Sequence, residues 1–200
     1  MDIAVYGATG ALGSKIVEEA VSRGHDVTGV SRRGGAIENA GIISADLSDT
    51  AEFARIASEN DVVVIAAGPS RTGESHEPTI EAHRSIVAAK PDTRVFIVGG
   101  AGSLYAGDVQ LKDTPGFPEI YKLEAETMSA VLDVYTASTG LNWTVLSPAP
   151  MIAPGERTGA YTTGLESPVG DSISTEDFAV AVLDEIETPA HRNQRFTVAN

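Results

Sequence analysis

The stretch that decides the fold is Asp2-Ile3-Ala4-Val5-Tyr6-Gly7-Ala8-Thr9-Gly10-Ala11-Leu12-Gly13. An apolar strand pattern runs directly into three glycines, each three residues after the last, and a helix pattern begins among them. Gly7 permits a tight turn, Gly10 lacks the Cβ that would block a pyrophosphate, and Gly13 lets the helix pack closely on the strand. The free N–H groups and the dipole at the helix start would then face the anion. This run therefore predicts a nucleotide-binding βα unit, with contacts from Gly7, Thr9, Gly10, Ala11 and Leu12.

The first 150 residues alternate short apolar runs with longer amphipathic ones, which is typical of βαβ units around a parallel sheet. Apolar runs predict strands at 2–6, 26–31, 42–45, 61–67, 94–99 and 142–147. Helices are predicted at 11–23, 50–58, 77–90 and 119–138. In the last of these, one continuous apolar face is expected from Ile120, Leu123, Thr127, Met128, Val131 and Tyr135.

The character of the chain changes after Pro148, because residues 148–172 are rich in Pro, Gly, Ser and Thr. Ser174 then resembles a helix cap, and its helix should run to about Ile186, with a last strand at 194–199. We predict an α/β fold with a Rossmann-type, doubly wound, mostly parallel sheet and helices on both faces. A single domain would span 1–200, with its core at 1–150 and a small lid, final helix and strand at 151–200.

Composition limits the possible partners. The chain has 200 residues, 42% of them hydrophobic, no cysteine and a formal net charge of −14. The absence of cysteine excludes disulfides and thiolate metal sites, and it fits a cytoplasmic protein. The acidic charge argues against nucleic acid or an anionic membrane as partner. The expected partner is a small-molecule substrate, and the chain could also form a homodimer.

The N-terminal region shows no basic segment before the first strand, so no signal peptide is expected. No apolar run approaches the ~20 residues of a membrane-spanning helix. None of the four histidines (His25, His76, His83 and His191) has metal-ligand spacing to another, so we expect solvated structural side chains and no metal site.

The end of the second strand indicates which nucleotide is bound. NAD-specific sites place a carboxylate there, about 20 residues past the glycine turn, to bind the ribose 2′-OH. Here that position holds Ser31-Arg32-Arg33. Arg presents a planar charged fork that matches a phosphate, and Ser31 can donate a hydrogen bond to it. We predict that NADP(H) is preferred over NAD(H). The alternative is that Arg32 and Arg33 are ordinary surface charges in a loop.

Two further strand ends carry candidate cofactor contacts. Asp46 follows the third strand and could accept a bond from an adenine amino group, or it could form a turn with Ser48 and Asp49. Ala66-Ala67-Gly68 ends the fourth strand with small side chains, as a cofactor lying across a strand end requires. Small residues also serve tight core packing.

The chain resembles the short-chain dehydrogenase/reductase superfamily, in its atypical branch of small NAD(P)H-binding proteins. The segments that carry the resemblance are 7–13, 45–49, 98–104, 122–126, 142–148 and 173–179. By that resemblance Asp46 and Leu47 flank the adenine, and residues 66–68 lie along the adenosine ribose. Pro148 and Ala149 would sit beside the nicotinamide, and Lys122 falls at the family lysine that binds its ribose.

The resemblance also shows that the usual catalytic set is broken. Relatives with full dehydrogenase activity use Tyr-x-x-x-Lys on one helix face, together with a serine after the fifth strand. Four residues before Lys122 stands Pro118, and the serine position is Gly99 or Gly100. Ser103 and Tyr105 could reach the pocket as substitutes, although packing or loop anchoring is the favoured explanation for both. Tyr121 is unsuitable, because neighbours on a helix do not face each other.

Two functions remain. The first is an NADPH-dependent oxidoreductase that transfers hydride to a small planar or carbonyl acceptor, for which the glycine-rich wall 99–102 leaves room. The second is a non-enzymatic NADPH-binding redox sensor or regulator, which the broken catalytic set favours but the short chain disfavours, so the oxidoreductase is preferred. An isomerase or epimerase with tightly held cofactor is disfavoured by the missing tyrosine.

Overall fold

The computed structural model describes residues 1–70 and 72–200. The long strands of the sheet are β1 (Asp2–Tyr6), β2 (Asp26–Ser31), β3 (Gly41–Ser44), β4 (Val62–Ile65), β5 (Arg94–Val98), β8 (Trp143–Ser147) and β12 (Gln194–Ala199). Five shorter strands are β6 (Tyr105–Ala106), β7 (Val109–Gln110), β9 (Met151–Ala153), β10 (Thr162–Gly164) and β11 (Ser172–Ser174). The helices are α1 (Ala11–Ser22), α2 (Thr50–Ser58), α3 (Glu77–Ala89), α4 (Glu119–Thr136) and α5 (Thr175–Glu187).

The central sheet has eight strands in the order β10-β12-β8-β5-β4-β1-β2-β3. All neighbours in it run parallel except β10, which pairs antiparallel with β12 at one edge. The chain winds outward from β1 to β3 on one side and from β4 to β12 on the other. The winding therefore reverses between β1 and β4, and a crevice for ligands opens at their carboxyl ends.

The predicted Rossmann-type α/β fold is confirmed, and the predicted strands and helices are all present with ends shifted by at most two residues. The fourth strand is shorter than expected and ends at Ile65; Ala66 keeps one backbone bond, from its N–H to Tyr6 O at 2.9 Å, before the chain leaves the sheet. The short strands β6, β7, β9, β10 and β11 were not predicted. Each has only two or three residues, so no periodic pattern could reveal it.

Two apolar cores lie on the two faces of the sheet. One joins Ile3, Val5 and Phe96 to α1 and α5 through Ile16 and Phe178. The other joins the opposite faces of the same strands to α2, α3 and α4, with contributions from Tyr6, Phe53, Ile86, Val131 and Trp143. Alternate side chains of each central strand are thus buried on both sides, as expected for a parallel sheet covered by helices.

The predicted apolar face of α4 is wrong over the first five residues of the helix. Ile120 is 83% exposed and Leu123 is 57% exposed, whereas Met128, Val131 and Tyr135 are buried. The buried residues of the helix begin at Ala125, so the turn before it projects past the surface on which the helix packs. Among the described residues, no helix combines the length and apolarity needed to cross a membrane.

The segment after β9 is fastened to α5 by Asp177. Its carboxylate is fully buried and accepts hydrogen bonds from Thr158 N (2.8 Å), Gly159 N (2.7 Å) and Thr158 Oγ1 (2.6 Å). Burial raises the pKa of Asp177, but these donors outweigh it and the net pKa is lowered. The predicted cap is confirmed, since Ser174 Oγ accepts from Asp177 N at 2.9 Å.

Candidate nucleotide-binding site

The glycine turn brings β1, α1 and β4 closer together than any side chain would allow. Gly7 has a φ of +78°, and a Cβ on it would lie 2.6 Å from Ala66 O. A Cβ on Gly13 would lie 2.1 Å from Gly7 O. At Gly10 the nearest protein atom to such a Cβ is Gly7 O, at 3.1 Å, so the protein itself tolerates a methyl there better. The absence of a side chain at Gly10 fits an approaching ligand.

The helix that starts at this turn has an open amino terminus. Gly10 is its N-cap residue and offers no side chain to the first N–H groups, and no acidic residue stands in the first turn. Ala11 and Leu12 are the first two helical residues, and their backbone N–H groups have no acceptor within the helix. This arrangement can hold an anionic group at the carboxyl end of β1.

A cavity of about 920 Å³ opens in front of this turn. Its size lies within the range of small-molecule and cofactor sites. The predicted cofactor residues that line it are Gly7, Thr9, Gly10, Ser31, Arg32, Arg33, Asp46, Leu47, Ala66, Ala67 and Gly68. The ends of four neighbouring strands, β1 to β4, therefore meet at one cavity, as the order of the sheet requires.

The basic end of the cavity follows β2. Arg32 and Arg33 are exposed, and in the described part of the chain neither guanidinium has an ion-pair partner within 4.0 Å. Ser31, by contrast, is buried and donates its hydroxyl hydrogen to Gly34 O at 2.6 Å. The Ser31 hydroxyl thus shapes the loop, while the two arginines remain available to a ligand.

Asp46 forms the predicted turn with Ser48 and also borders the cavity, and its contact with adenine stays a prediction. Its carboxylate accepts hydrogen bonds from Ser48 N (2.9 Å) and Ser48 Oγ (2.7 Å), and it also lines the cavity. The bonds from Ser48 are the main reason that the pKa of Asp46 is lowered, with a smaller contribution from the charge of Arg32. Asp49 instead caps α2, since its carboxylate accepts from Glu52 N at 3.0 Å.

One wall of the cavity was missed by sequence reasoning. It consists of the segment after β4 and the first turns of α3, with Ser70, Glu74, Ser75, Pro78, Thr79 and Ala82. His76 fastens this segment to α4, because its Nε2 lies 2.7 Å from Ser70 O and its Nδ1 lies 2.8 Å from Thr127 Oγ1. Pro78 in the first turn of α3 marked the helix start, but nothing local indicated that the segment folds back over the cavity.

The expectation of solvated histidines is wrong for His83, which is fully buried on α3 with its Nδ1 2.9 Å from Tyr135 Oη. Burial lowers the pKa of His83 to about 4. Within residues 1–70 and 72–200, no cluster of three or more His, Cys, Asp or Glu side chains could hold a metal ion.

The candidate catalytic side chains lie outside the cavity lining. Lys122 Nζ donates to Lys112 O and lies 3.1 Å from Asp113 Oδ1. Pro118, at the family tyrosine position, is the N-cap of α4 and stands outside the helix. The i, i+4 geometry of a Tyr-x-x-x-Lys pair is therefore not built here.

Of two further candidates, Ser103 has its side chain engaged elsewhere, and Tyr105 is anchored through its backbone. Ser103 is buried, and its Oγ accepts a hydrogen bond from Arg195 Nη1 at 3.0 Å. Tyr105 is half-buried in β6, and its N–H donates to Glu166 O at 2.8 Å. Pro148 and Ala149 are buried directly after β8 and do not line the cavity.

The glycine-rich wall after β5 is packed rather than open. A Cβ on Gly99 would lie 2.8 Å from Val145 Cγ1, and one on Gly102 would lie 2.5 Å from Ala125 Cβ. These glycines let β5 and the turn after it approach β8 and α4. The expectation that they leave room for an acceptor is therefore wrong for Gly99 and Gly102.

A glycine turn at the switch point of a doubly wound sheet, with a cavity across four strand ends, defines a dinucleotide-binding protein of the Rossmann type. Residues 7–189 match the model of a family described as NAD(P)H-binding. The chain accordingly belongs to the NAD(P)H-binding family, in the atypical branch of the short-chain dehydrogenases/reductases.

The relatives that match over the full chain include the following three. Protein YwnB of Bacillus subtilis (strain 168) is 38% identical over 215 aligned residues, covering 100% of this chain and 99% of its own. A Burkholderia pseudomallei structure named as a candidate exported protein is 40% identical with a TM-score of 0.89, covering 100% of both chains. A Streptococcus pneumoniae TIGR4 structure named as a candidate NADH-flavin reductase is 33% identical with a TM-score of 0.85, covering 100% of this chain and 99% of its own.

Proposed function

We propose that the protein is an NADP(H)-dependent oxidoreductase that passes hydride to a small planar or carbonyl acceptor without the usual Tyr-x-x-x-Lys pair. The observation that carries the cofactor choice is the presence of Arg32 and Arg33 at the end of β2. In an acidic chain, two guanidiniums without ion-pair partners among the described residues stand at the mouth of a nucleotide cavity. A 2′-phosphate is the anion that suits them.

Different residues of the chain would bind different parts of the cofactor. The turn at Gly7 and Gly10 and the start of α1 would hold the pyrophosphate. Asp46 and Leu47 would border the adenine, and the small residues 66–68 would lie along the adenosine ribose. Pro148 and Ala149 would adjoin the nicotinamide, which supplies the hydride when the cofactor is bound.

The planar acceptor is supported by the name of the Streptococcus pneumoniae relative, a candidate NADH-flavin reductase. Hydride transfer to a flavin or quinone needs mainly stacking over the nicotinamide, with protons available from water. That chemistry does not depend on a tyrosine at position 118. A carbonyl acceptor would need a donor near the nicotinamide.

The test begins with paired titrations of NADPH, NADP⁺, NADH and NAD⁺, followed by NADPH oxidation assays with quinones, flavins and small carbonyls. We expect NADPH to bind at least tenfold tighter than NADH and at least one acceptor to be reduced. Background rates across the whole panel would contradict the oxidoreductase. Equal affinity for NADPH and NADH would contradict the cofactor choice.

A second candidate, an NADPH-binding redox sensor, is favoured by the engagement of Lys122 with Asp113 and by Pro118 at the tyrosine position. A sensor must bind the two oxidation states with different affinity, since a ligand shifts an equilibrium only through differential binding. Tight NADPH binding, a large difference from NADP⁺ and no turnover would favour it.

A further inference from the structure

A cluster of buried polar groups lies at the carboxyl end of the sheet, on the face that packs on α4. Ser147 and Thr197 stand opposite each other in the β8–β12 ladder, and Arg195 lies two residues before Thr197 on the same face. Ser147 Oγ, Thr197 Oγ1 and Arg195 Nε are buried and have no hydrogen-bond partner among the described residues. Three neighbouring polar groups are therefore buried without a hydrogen-bond partner.

The surroundings of the cluster are close to the region where an acceptor would enter. A Cβ on Gly99, at the end of β5, would lie 3.2 Å from Ser147 Oγ. On the other side, the end of β10 borders the cluster within the sheet, since Gly164 pairs with Thr197 and a Cβ on Gly164 would lie 3.4 Å from Thr197 Cγ2. The cluster thus adjoins the carboxyl ends of β5 and β8, where open α/β sheets bind their ligands.

Arg195 is the charged member of the cluster, and its two contacts differ in kind. Nη1 donates to Ser103 Oγ at 3.0 Å, a contact between two buried side chains. Nη2 forms an ion pair with Glu166 Oε2, but the Glu166 side chain is 60% exposed while that of Arg195 is 3% exposed. The fold therefore fixes the cation, whereas its carboxylate partner can be replaced from solvent.

Glu166 uses only part of what the guanidinium offers. Nε and Nη2 point the same way and form a fork that matches the two oxygens of one carboxylate. Glu166 takes only Nη2, and Nε stays without a partner. A buried donor without a partner is unfavourable, so a group that bound both nitrogens would be favoured over Glu166.

We propose that Arg195, with the hydroxyls of Ser103, Ser147 and Thr197, forms a carboxylate-binding subsite, and that Glu166 occupies it until a ligand carboxylate replaces it. Such a subsite would select an acceptor that carries a carboxylate. Its role in catalysis rests on the proposed oxidoreductase function. The ligand carboxylate would bind side-on to Nε and Nη2 and accept from the hydroxyls nearby. The Glu166 side chain would move out into solvent.

The test uses benzoate and its neutral counterpart benzamide as probes, titrated calorimetrically into the full chain with and without saturating NADP⁺. Both probes have the same ring and nearly the same shape, so a difference between them reports the charge. We expect benzoate to bind at least tenfold tighter than benzamide. Equal binding, or no binding of either probe, would overturn the subsite.

The variant Glu166→Gln distinguishes a ligand-binding role of Arg195 from a purely structural ion pair with Glu166. Removing the competing carboxylate should tighten benzoate binding threefold or more, because a larger fraction of the protein then has Arg195 available. Glu81→Gln is the matched control, since Glu81 is also exposed and paired with an arginine, on α3. An unchanged benzoate affinity in Glu166→Gln would mean that Arg195 serves the fold alone.

Arg195→Lys keeps the charge but removes the fork, and it should abolish the preference for benzoate over benzamide. If this variant does not fold, as judged by circular dichroism, Glu166→Gln decides the question alone. The binding readout does not require turnover. Benzoate selectivity without NADPH oxidation would therefore count against the proposed function and not against the subsite. NADPH oxidation without benzoate selectivity would count against the subsite and not against the proposed function.

Discussion

The ammonium nitrogen of Lys122 lies 3.1 Å from Asp113 Oδ1 and also donates to the carbonyl of Lys112. Neither acceptor belongs to the nucleotide cavity, although Lys122 stands where the family lysine would bind a ribose. The segment that begins α4 is therefore held to the turn before it by this lysine. That arrangement gives Lys122 a local structural role.

We expect Lys122→Gln to leave the NADPH dissociation constant within about twofold of wild type, because the side chain does not line the cavity. Stability should fall by no more than about 1 kcal/mol, as for other partly exposed ion pairs. Fluorescence titration of NADPH and thermal unfolding give the two numbers. A tenfold weaker affinity would show that Lys122 leaves Asp113 and contacts the ribose in the complex.

Replacing the arginines after β2 should change the choice of cofactor. Each of Arg32→Ala and Arg33→Ala removes a charged donor whose hydrogen bond to a phosphate is worth about 1.5–3 kcal/mol, so NADPH should bind at least about tenfold more weakly. NADH lacks the 2′-phosphate, and its affinity should stay within about twofold. The control is Arg192→Ala, which removes an exposed arginine from the turn before β12. Equal losses for both cofactors would refute the phosphate assignment.

The sequence predicts those residues of the site that directly follow a strand. The glycine turn, Arg32, Arg33 and the small residues 66–68 all follow apolar runs directly, and parallel strands bring such ends to one edge of the sheet. Spacing and residue type were therefore enough to group them. The fold followed from the same alternation of runs.

The unpredictable part depends on contacts between distant segments. Ser70 joins the cavity because His76 ties its carbonyl to α4, and Arg195 meets Glu166 because β10 pairs with β12. Strands of two or three residues are too short to show the alternation of apolar and polar residues that identifies a strand. Lys122 is a different case, since its position matches the family lysine while Pro118 holds the partner position outside the helix.

Substitution of Gly13 and of Gly10, both in the first turn, should have different effects. Gly13→Ala would put a methyl 2.1 Å from Gly7 O, so we expect the free energy of unfolding to fall by about 2 kcal/mol or more. Gly10→Ala meets only one atom, at 3.1 Å, so its stability should change by less than about 1 kcal/mol. NADPH affinity should nevertheless fall at least tenfold in Gly10→Ala, because its methyl occupies the approach of the pyrophosphate. Denaturant unfolding and NADPH titration measure both effects, and tight NADPH binding by Gly10→Ala would contradict the assignment.

Buried His83 should make the protein less stable in mild acid. Burial lowers its pKa to about 4 in the folded chain, against 6.5 for an ordinary histidine, so the unfolded chain takes up the proton first as the pH falls. The contribution of His83 is complete above pH 6.5 and is lost on the way to pH 4, with about 2 kcal/mol lost between pH 7 and pH 5. His83→Phe removes this titration, so the unfolding free energy of wild type should fall by that amount relative to the variant over the same interval. The measurement is urea unfolding at pH 7, 6 and 5, and parallel curves for the two proteins would show that His83 takes up a proton in the folded chain.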